Sequence, residues 1–599
     1  MKTSIEGPGG RGVEVSPDEV LPPSRGIARR VFYPSVALVG VFVLLALVFP
    51  DWLSSVITAA NAAVVNSLGW YYVLLVTGFV VFALWLALSR LGDIRLGRDD
   101  EEPQYSTFSW FAMLFAAGMG IGLVFWGVAE PLNHYAAPPP GVVGTPASLA
   151  QDAMTQTYLH WGLHAWAIYI VVGLAVAYTV HRRRRPVSIR WALEPILGTR
   201  RVQGRWGDVV DVVAVVGTVF GVATSLGFGV VQVAAGLEYL DLIEVTRTAL
   251  VVLIIAIAGL AMISVATGLD VGIKWLSNAN LVIAGLLMLG ILVLGPTLFV
   301  LREFVQSIGA YLQDFIRLSF ATLPYQGPEG ESWLASWTTY YWGWWMSWSP
   351  FVGVFIARIS RGRTVRQFII GVLLVPTLLT FLWFAVLGGT ALYRELFGEG
   401  GLVSERGIVD NNAALFQMLS DLPGGPVLAG AAILLVVVFF VTSSDSGSYV
   451  VAMISAGGNP TPPLWTRLTW AALTGAIAAV LLGFGGPEGG LTSLQVMAIL
   501  VAAPFSVVMI GMCVALARSL TAEHHAAELE RRALRRRTLV AAVVDELGST
   551  SAPIRPIEPS PGMTWRPHLP RRAPGRRRRA RPADTGGEQT SEDAEDGPG

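Results

Sequence analysis

Long apolar segments recur along the whole chain and constrain its fold more than any other feature. A helix needs about 20 consecutive apolar residues to cross a bilayer, and stretches of that length alternate here with short polar loops. Only 14% of the residues are charged, whereas soluble domains carry about 25%. The sequence therefore predicts an all-α polytopic membrane protein.

About twelve transmembrane helices are predicted from these segments. Their approximate positions are residues 32–50, 70–90, 108–128, 156–180, 209–233, 247–268, 279–300, 335–358, 367–393, 426–455, 464–484 and 491–517. Residues 301–322 instead alternate apolar and polar side chains at helical spacing, which is typical of an amphipathic helix at the membrane interface. A helical loop packed on neighbouring protein is the alternative.

The chain divides into a polar tail (residues 1–30), a transmembrane domain (31–518) and an Arg-rich, largely disordered tail (519–599). Arginine clusters precede the first span and follow the second, fourth and eighth, whereas loops 51–69 and 129–155 contain no Lys or Arg. The positive-inside rule then predicts that both termini are cytoplasmic. The composition of the C-terminal tail favours a solvated tail, and the alternative is that its basic part contacts anionic lipid headgroups or acidic loops.

No arrangement typical of enzymes occurs in the sequence. A Gly-rich loop ending in Gly-Lys-Ser/Thr is absent, which argues against an ATP-driven pump. No pair of groups is arranged as nucleophile and base, and no His/Cys/Asp/Glu cluster has metal-ligand spacing. Cys513 is the single cysteine, which excludes an internal disulfide. We therefore expect a protein that is not an enzyme.

The third span contains glycine at three alternate positions, Gly118, Gly120 and Gly122. Each glycine costs a helix about 1 kcal/mol relative to alanine, so the pattern predicts an interrupted helix. Irregular backbone at membrane depth is tolerated where it lines a cavity or is buried in protein. The segment therefore indicates either a binding site made of backbone groups or a close helix–helix contact.

Six of the chain's 20 tryptophans fall within sixteen residues of the eighth span, which also contains Gly343 and Pro350. They are Trp333, Trp337, Trp342, Trp344, Trp345 and Trp348. Tryptophan faces are the best protein partners for a quaternary ammonium group. The fourth span adds Trp161, Trp166 and Tyr169, so we predict an aromatic cage, with plain packing as the alternative.

Interrupted spans in corresponding positions of two halves are typical of secondary transporters built from inverted repeats. The third and eighth spans are predicted to be such a pair, which makes spans 3–7 and 8–12 the repeats and spans 1 and 2 additional. The tenth span carries five consecutive polar residues, 442–446, which indicates a cavity-facing surface. Hydroxyls of Thr442 and Ser443 are hard oxygen ligands suited to sodium.

Four separated motifs resemble the betaine/carnitine/choline transporter family over roughly residues 30–520. They are GMGIGLVFWGVAEPLNHY (118–135), HWGLHAWAIY (160–169), YWGWWMSWSPFVGVFIARISRGRT (341–364) and FFVTSSDSGS (439–448). The resemblance implies a sodium-coupled symporter for compatible solutes such as glycine betaine, with the leucine-transporter type of inverted repeat. It also implies a multi-pass protein of the cell membrane, a homotrimer in which the 301–322 helix is a natural contact, and a role in osmoprotection.

The resemblance also implies the roles of individual residues. An aromatic box for the trimethylammonium group matches Trp161, Trp166, Tyr169 and Trp345. Neighbouring positions on the substrate path match Trp342, Trp344 and Trp348, and the unwound segment Gly118, Met119 and Gly120 faces the carboxylate. One sodium site matches backbone carbonyls of Ala116, Met119 and Phe439 together with the hydroxyls of Thr442 and Ser443.

The sequence departs from similar betaine carriers at a second sodium site, which they build from two threonines and a phenylalanine. Thr218 and Phe351 match this pattern, but Val222 has no oxygen at the second threonine position, so the sodium stoichiometry stays open. Gly122 stands where choline and proton-linked relatives tend to carry an acidic residue, which favours a zwitterionic solute.

Two alternatives to sodium-driven transport remain open. A proton-coupled choline or carnitine carrier of the same fold would use Glu130, His160, His164 or Asp445, whereas a passive channel would need no coupling. The preferred solute is also open among glycine betaine, proline betaine, ectoine and carnitine. We expect no cofactor other than the coupling sodium, and no nucleic-acid partner.

Overall fold

The computed structural model describes residues 26–549 except Met119, Gly268 and Leu269. Some side chains inside helices of this range are also left undescribed, namely those of residues 66, 115–118, 270–275, 277, 484–488 and 547–549. Most of the predicted N-terminal tail and the C-terminal part of the predicted Arg-rich tail therefore lie outside the described residues.

The described residues are almost entirely α-helical, and only two isolated β-bridges occur among them. The helices are α1 (Arg29–Val48), α2 (Pro50–Leu88), α3 (Thr107–Gly118), α4 (Ile121–Ala136), α5 (Pro146–Trp161), α6 (Leu163–Ala177), α7 (Glu194–Leu197), α8 (Thr199–Val202), α9 (Arg205–Tyr239), α10 (Arg247–Thr267), α11 (Asp270–Leu294), α12 (Thr297–Ser319), α13 (Gly327–Leu334), α14 (Tyr340–Ile359), α15 (Val365–Phe397), α16 (Ala414–Ser420), α17 (Gly425–Ser455) and α18 (Leu464–Ser549). One π-helical turn, Tyr178–Arg182, follows α6, and another, Ala335–Thr339, precedes α14. The predicted all-α fold is confirmed.

Nine helices in the described part of the chain are long and apolar enough to cross a membrane, or ten if one bent pair forms a single span. The polytopic architecture is thus clear, while the count of about twelve stays a prediction. The third predicted span shows why fewer long helices are found than spans predicted, because it consists of two short helices, α3 with 12 residues and α4 with 16. At about 1.5 Å per residue, neither helix alone covers a hydrocarbon core roughly 30 Å thick.

The glycine-rich segment of the third span interrupts the helix as predicted. Gly120 adopts an extended conformation, with φ −154° and ψ 179°, between the end of α3 and the start of α4. Gly120 is buried in the protein interior, and its carbonyl oxygen accepts a hydrogen bond from the backbone N–H of Leu123 at 3.1 Å.

The predicted interruption of the eighth span is wrong, because α14 is a continuous helix through Gly343 and Pro350. Proline has no N–H to donate to the carbonyl four residues earlier, which here belongs to Met346. The Ser349 hydroxyl donates to that carbonyl at 2.7 Å. Neighbouring hydroxyls often compensate proline in this way within membrane helices, so Pro350 stays in the helix.

An interruption that the sequence did not predict divides the fourth span at Gly162, between α5 and α6. A Cβ atom on Gly162 would lie 2.5 Å from the Tyr158 carbonyl oxygen and 2.8 Å from the Phe381 ring. Only glycine fits such a close approach. In the described part of the chain, the third and fourth predicted spans are therefore interrupted, whereas the eighth is continuous.

Helix α12 corresponds to the predicted amphipathic segment 301–322. It follows a bend of 111° after residues 278–294. One face packs on α5 and α15, with the Gln151 side-chain amide donating to the Ser307 hydroxyl at 2.8 Å. The other face exposes apolar side chains such as Leu312 and Ile316.

The last two predicted spans lie within α18. Gly490 is so close to Leu481 that a Cβ atom there would lie 2.7 Å from the Leu481 carbonyl oxygen. Residues nine apart in a straight helix are about 13.5 Å apart, so the chain reverses direction between them. The described residues up to 529 form one compact unit, and residues 530–549 belong to a second unit in which they are helical.

Helices of the two predicted repeats pack directly on each other. The most extensive helix pairs are α6 with α14 and α9 with α17, and α4 also packs on α15. This packing brings the break between α3 and α4 next to α14. The inverted symmetry of the repeats stays a prediction.

Candidate functional site

Aromatic side chains enclose a cavity where the α3–α4 break faces α6 and α14. The space between the surrounding atoms, part of which is open solvent, measures about 440 Å³. The lining residues are Gly120, Gly122, Leu123, Trp161, Ala165, Trp166, Tyr169, Ser225, Trp344, Trp345, Trp348 and Thr380. None of these lining residues is charged, so the lining consists of aromatic rings, hydroxyl-bearing side chains and small apolar groups.

The four box residues predicted from the sequence come together at this cavity, and all four are buried. Trp345 is central, with its ring centroid 4.8 Å from that of Trp161 and 6.3 Å from that of Tyr169. The rings of Trp166 and Tyr169, three residues apart on α6, lie 5.5 Å from each other. Trp344 stacks on Trp345 with centroids 4.6 Å apart and planes 15° from parallel.

The structure separates Trp342 from the other predicted substrate-path tryptophans. Trp344 and Trp348 line the cavity, whereas Trp342 does not. Its indole stacks on the His164 ring, with centroids 5.4 Å apart and 19° between the planes. Trp342 is two residues from Trp344 on a helix with 3.6 residues per turn, which places it on another face.

The glycine segment approaches the tryptophans closely. Gly120 lines the cavity, and a Cβ atom there would lie 3.4 Å from Cη2 of Trp348. Gly118 is the last residue of α3, and its surroundings are not described. Met119 lies outside the described residues. The break therefore reaches the cavity at least at Gly120.

The predicted sodium ligands of the tenth span lie within one turn of α17. The Thr442 hydroxyl donates to the carbonyl oxygens of Val438 at 2.9 Å and Phe439 at 3.2 Å. Ser443 is half-buried beside it. Of the other predicted ligands, Ala116 belongs to α3 and Met119 is not described, so the complete ligand set stays a prediction.

The second predicted sodium site has fewer oxygen groups. Thr218 Oγ1 donates to the Ala214 carbonyl of its own helix at 2.8 Å. Phe351 is half-buried, with its ring 5.5 Å from that of Trp348. Val222 faces Gly447 of α17, where a Cβ atom would lie 3.1 Å from Cγ2 of Val222. An apolar contact thus occupies the position of the second threonine.

Sequence reasoning named Glu130 and His160 only as separate candidates for proton coupling. It missed that they form a buried cluster with His134, in which the ligand-type atoms all lie within 4.8 Å of one another. Oε1 of Glu130 is 2.7 Å from Nδ1 of His160 and 3.3 Å from Nε2 of His134. Glu130 and His134 share a helix face at a spacing of four residues, which was a usable signal. His160 joins them from α5, so the statement that no cluster has metal-ligand spacing is wrong in three dimensions.

Asp445 follows the predicted sodium ligands Thr442 and Ser443 on α17. Its Oδ2 accepts a hydrogen bond from Ser264 at 3.1 Å, and its Oδ1 lies 3.4 Å from a guanidinium nitrogen of Arg467. This carboxylate therefore pairs with a cation of α18.

Comparison with known protein families identifies the family to which the chain belongs. The sequence profile described as BCCT, betaine/carnitine/choline family transporter, matches residues 30–525, which is most of the chain and includes every cavity residue. The chain belongs to the BCCT family. BCCT proteins are transporters and not enzymes.

Individual relatives agree with this BCCT membership. An uncharacterized transporter of Mycobacterium tuberculosis (strain ATCC 25618 / H37Rv) is 51% identical, over 83% of this chain and 83% of its own length. The glycine betaine transporter OpuD of Bacillus subtilis (strain 168) is 46% identical, over 82% of this chain and 94% of its own. An ectoine/hydroxyectoine transporter of Virgibacillus pantothenticus is 39% identical, over 84% and 98% respectively.

Proposed function

We propose that this BCCT transporter imports glycine betaine, or a closely related zwitterion, together with sodium by alternating access. The observation that carries the proposal is the uncharged aromatic cavity formed by α5, α6 and α14. A quaternary ammonium group donates no hydrogen bond, so ring faces are its best partners in a cavity without a counter-ion. Relatives named as glycine betaine transporters support the same choice of solute.

The carboxylate of a zwitterion needs hydrogen-bond donors at the same cavity. Nε1 of Trp344 and Nε1 of Trp348 are buried and have no hydrogen-bond partner among the described residues. An unpaired buried N–H costs roughly 1–3 kcal/mol, which a carboxylate oxygen would offset. We assign the carboxylate to these indoles together with the backbone near Gly120, so a zwitterion fits better than a simple cation.

Sodium is the proposed coupling ion, and no other cofactor is proposed. Thr442 and Ser443 supply hydroxyl oxygens on α17, and backbone carbonyls of Ala116, Met119 and Phe439 would complete the site. We propose a single sodium, because Val222 replaces an oxygen ligand at the second site. Sodium binding would favour the outward-open state, and solute binding would then allow the repeats to rock about the cavity.

The cellular setting is also part of the proposal. We place the protein in the cell membrane. The positions of the arginine-rich loops favour an orientation with both termini in the cytoplasm. The exposed apolar face of α12 supports a homotrimer with α12 as a contact, and the basic tail supports binding of anionic lipid. Uptake of a compatible solute would serve osmoprotection.

A proton-coupled carrier of the same fold is the second candidate. It is favoured by the buried hydrogen bond of 2.7 Å between Glu130 and His160, since such a pair can hold a proton. Asp445 suits proton coupling less well, because Arg467 already pairs with it.

Uptake of radiolabelled glycine betaine into proteoliposomes distinguishes these candidates. An inward sodium gradient should drive accumulation above the external concentration, whereas a matched proton gradient should not. Accumulation with protons alone would replace sodium by the proton candidate, and equilibration without accumulation would indicate a channel. Unlabelled ectoine and carnitine, added as competitors, rank the solutes.

A further inference from the structure

We infer that Glu130 is a positioning residue for the aromatic cavity, which holds Trp161 directly and Trp345 through His160. The inference rests on the proposed function only in taking these two rings as walls of the solute site. Glu130 is not itself a lining residue of the cavity. It is fully buried in α4.

The direct connection is a hydrogen bond from the indole of Trp161. Its Nε1 donates to Oε2 of Glu130 at 2.5 Å, and the Tyr341 hydroxyl donates to the same oxygen. An indole has one polar atom, so this bond fixes the rotation of the ring and hence the direction of its face.

The indirect connection depends on the break in the fourth span. Helix α5 ends at Trp161, and the last carbonyls of a helix lack partners within it. The His160 carbonyl is one of these, and Nε1 of Trp345 donates to it at 2.9 Å. The break at Gly162 thus frees the acceptor that orients the central tryptophan of the cage.

The imidazole of His160 is held at both nitrogens. Nδ1 lies 2.7 Å from Oε1 of Glu130, and Nε2 lies 3.0 Å from the Thr338 hydroxyl. Because the ring is clamped between α4 and the turn before α14, the backbone at the end of α5 is fixed as well. Oε2 of Glu130 therefore holds Trp161 directly, and Oε1 acts on Trp345 through His160.

Two other cavity indoles differ from Trp161 and Trp345 in the pairing of their N–H groups. Trp344 and Trp348 also line the cavity, but their N–H groups have no partner among the described residues. The two indoles with paired N–H groups are the two that connect to Glu130. No arginine or lysine pairs with Glu130 in the described part of the chain, where its ionic partners are His134 and His160. Its role is therefore hydrogen bonding within the cage wall.

A double-mutant cycle tests the direct connection. Glu130→Met keeps the side-chain length but removes the acceptor, and Trp161→Phe keeps an aromatic face but removes the donor. If Glu130 acts through the Trp161 N–H, Glu130→Met should raise KM for glycine betaine at least tenfold when Trp161 is present. Most of that effect should disappear in Trp161→Phe, because the bond is already absent. Equal effects in both backgrounds would overturn the inference.

Glu130→Gln is the conservative variant. Its amide oxygen can accept from Trp161 and Tyr341, while its amide N–H₂ can donate to neutral His160. We expect KM within about threefold of wild type, so a rise as large as in Glu130→Met would show that charge matters instead. Glu303→Met is the matched control, since Glu303 is a half-buried carboxylate on α12 that accepts a hydrogen bond from Ser307. It should leave KM within about twofold.

A spectroscopic signature keeps the test independent of the solute. In protein labelled with ¹⁵N-tryptophan, the indole N–H signal that is lost in Trp161→Phe belongs to Trp161. That signal should lie at low field in wild type and in Glu130→Gln, and should move to high field in Glu130→Met. An unchanged signal would overturn the inference. If the signal differs as expected between wild type and Glu130→Met but the wild-type protein does not transport glycine betaine, the inference about Glu130 stands and the proposed function is refuted.

Discussion

Gly122 lies directly against Trp344, so close that a Cβ atom at position 122 would be 2.5 Å from Cη2 of the indole. The same Cβ atom would be 3.2 Å from Cη2 of Trp161. Two rings of the cavity wall therefore occupy the space that any other residue at position 122 would need. The glycine at position 122 is therefore required by this contact.

Gly122→Ala should therefore impair uptake. Overpacking a well-packed site costs about 1–3 kcal/mol, and here the displaced group is a wall of the cavity. We expect KM for glycine betaine to rise by roughly tenfold, measured in proteoliposomes. Gly430→Ala is the control, because nothing lies within 4 Å of a Cβ atom at that glycine. Equal kinetics of the two variants would contradict the contact.

Trp345→Ala should impair binding more than Trp345→Phe. A ring face contributes about 2 kcal/mol or more to holding a desolvated cation, so its loss predicts a rise in KM of roughly 30-fold. Phenylalanine keeps a ring but loses the indole N–H that bonds the His160 carbonyl, and should cost only a few-fold. Initial rates over a range of betaine concentrations give both values. If the alanine variant binds betaine normally, the aromatic cavity is not the solute site.

Ser443→Ala should weaken sodium activation while leaving betaine binding at saturating sodium nearly unchanged. The variant removes one of the proposed hydroxyl ligands, so half-maximal uptake should need roughly tenfold more sodium (about 1.4 kcal/mol). Ser446→Ala is the control, as a half-buried serine of the same polar run without a proposed ligand role. A sodium dependence that is identical in both variants would argue against the site on α17.

Thr218→Ala should have little effect on sodium activation. Thr218 bonds the Ala214 carbonyl of its own helix, and Val222 supplies no oxygen beside it. Wild-type uptake should therefore depend on sodium with a Hill coefficient near one. A coefficient near two that falls in Thr218→Ala would mean that the second site exists despite the valine.

Glu101 in the loop between α2 and α3 gives a prediction about pH. The backbone N–H of Arg98 donates to its carboxylate at 3.0 Å, and Arg361 pairs with it, so its pKa is lowered from the ordinary value. A lowered pKa stabilises the fold above the unfolded-state pKa, and this contribution is lost as the pH falls through the folded-state pKa. The melting temperature of purified protein should fall on acidification, and less steeply in Glu101→Gln. Parallel curves would contradict this.

Local sequence patterns predicted a good part of the site. Alternating glycines located the break at Gly120, and the spacing of Trp166 and Tyr169 placed both rings on one face of α6. The same kind of reasoning failed at Pro350, where a nearby hydroxyl supplies what proline lacks. It also missed the break at Gly162, whose cause is the close approach of Phe381 from another helix.

The sequence by itself determined that this is a polytopic helical membrane protein of the BCCT family, because apolar length, glycine spacing and aromatic clusters act within single helices. Only the tertiary structure decided which tryptophans share a cavity and that Trp342 faces His164 instead. It also decided that Glu130 meets His160 and Trp161, some 30 residues away. These contacts depend on how α4, α5 and α14 pack, and packing distances are not encoded in the spacing within one helix.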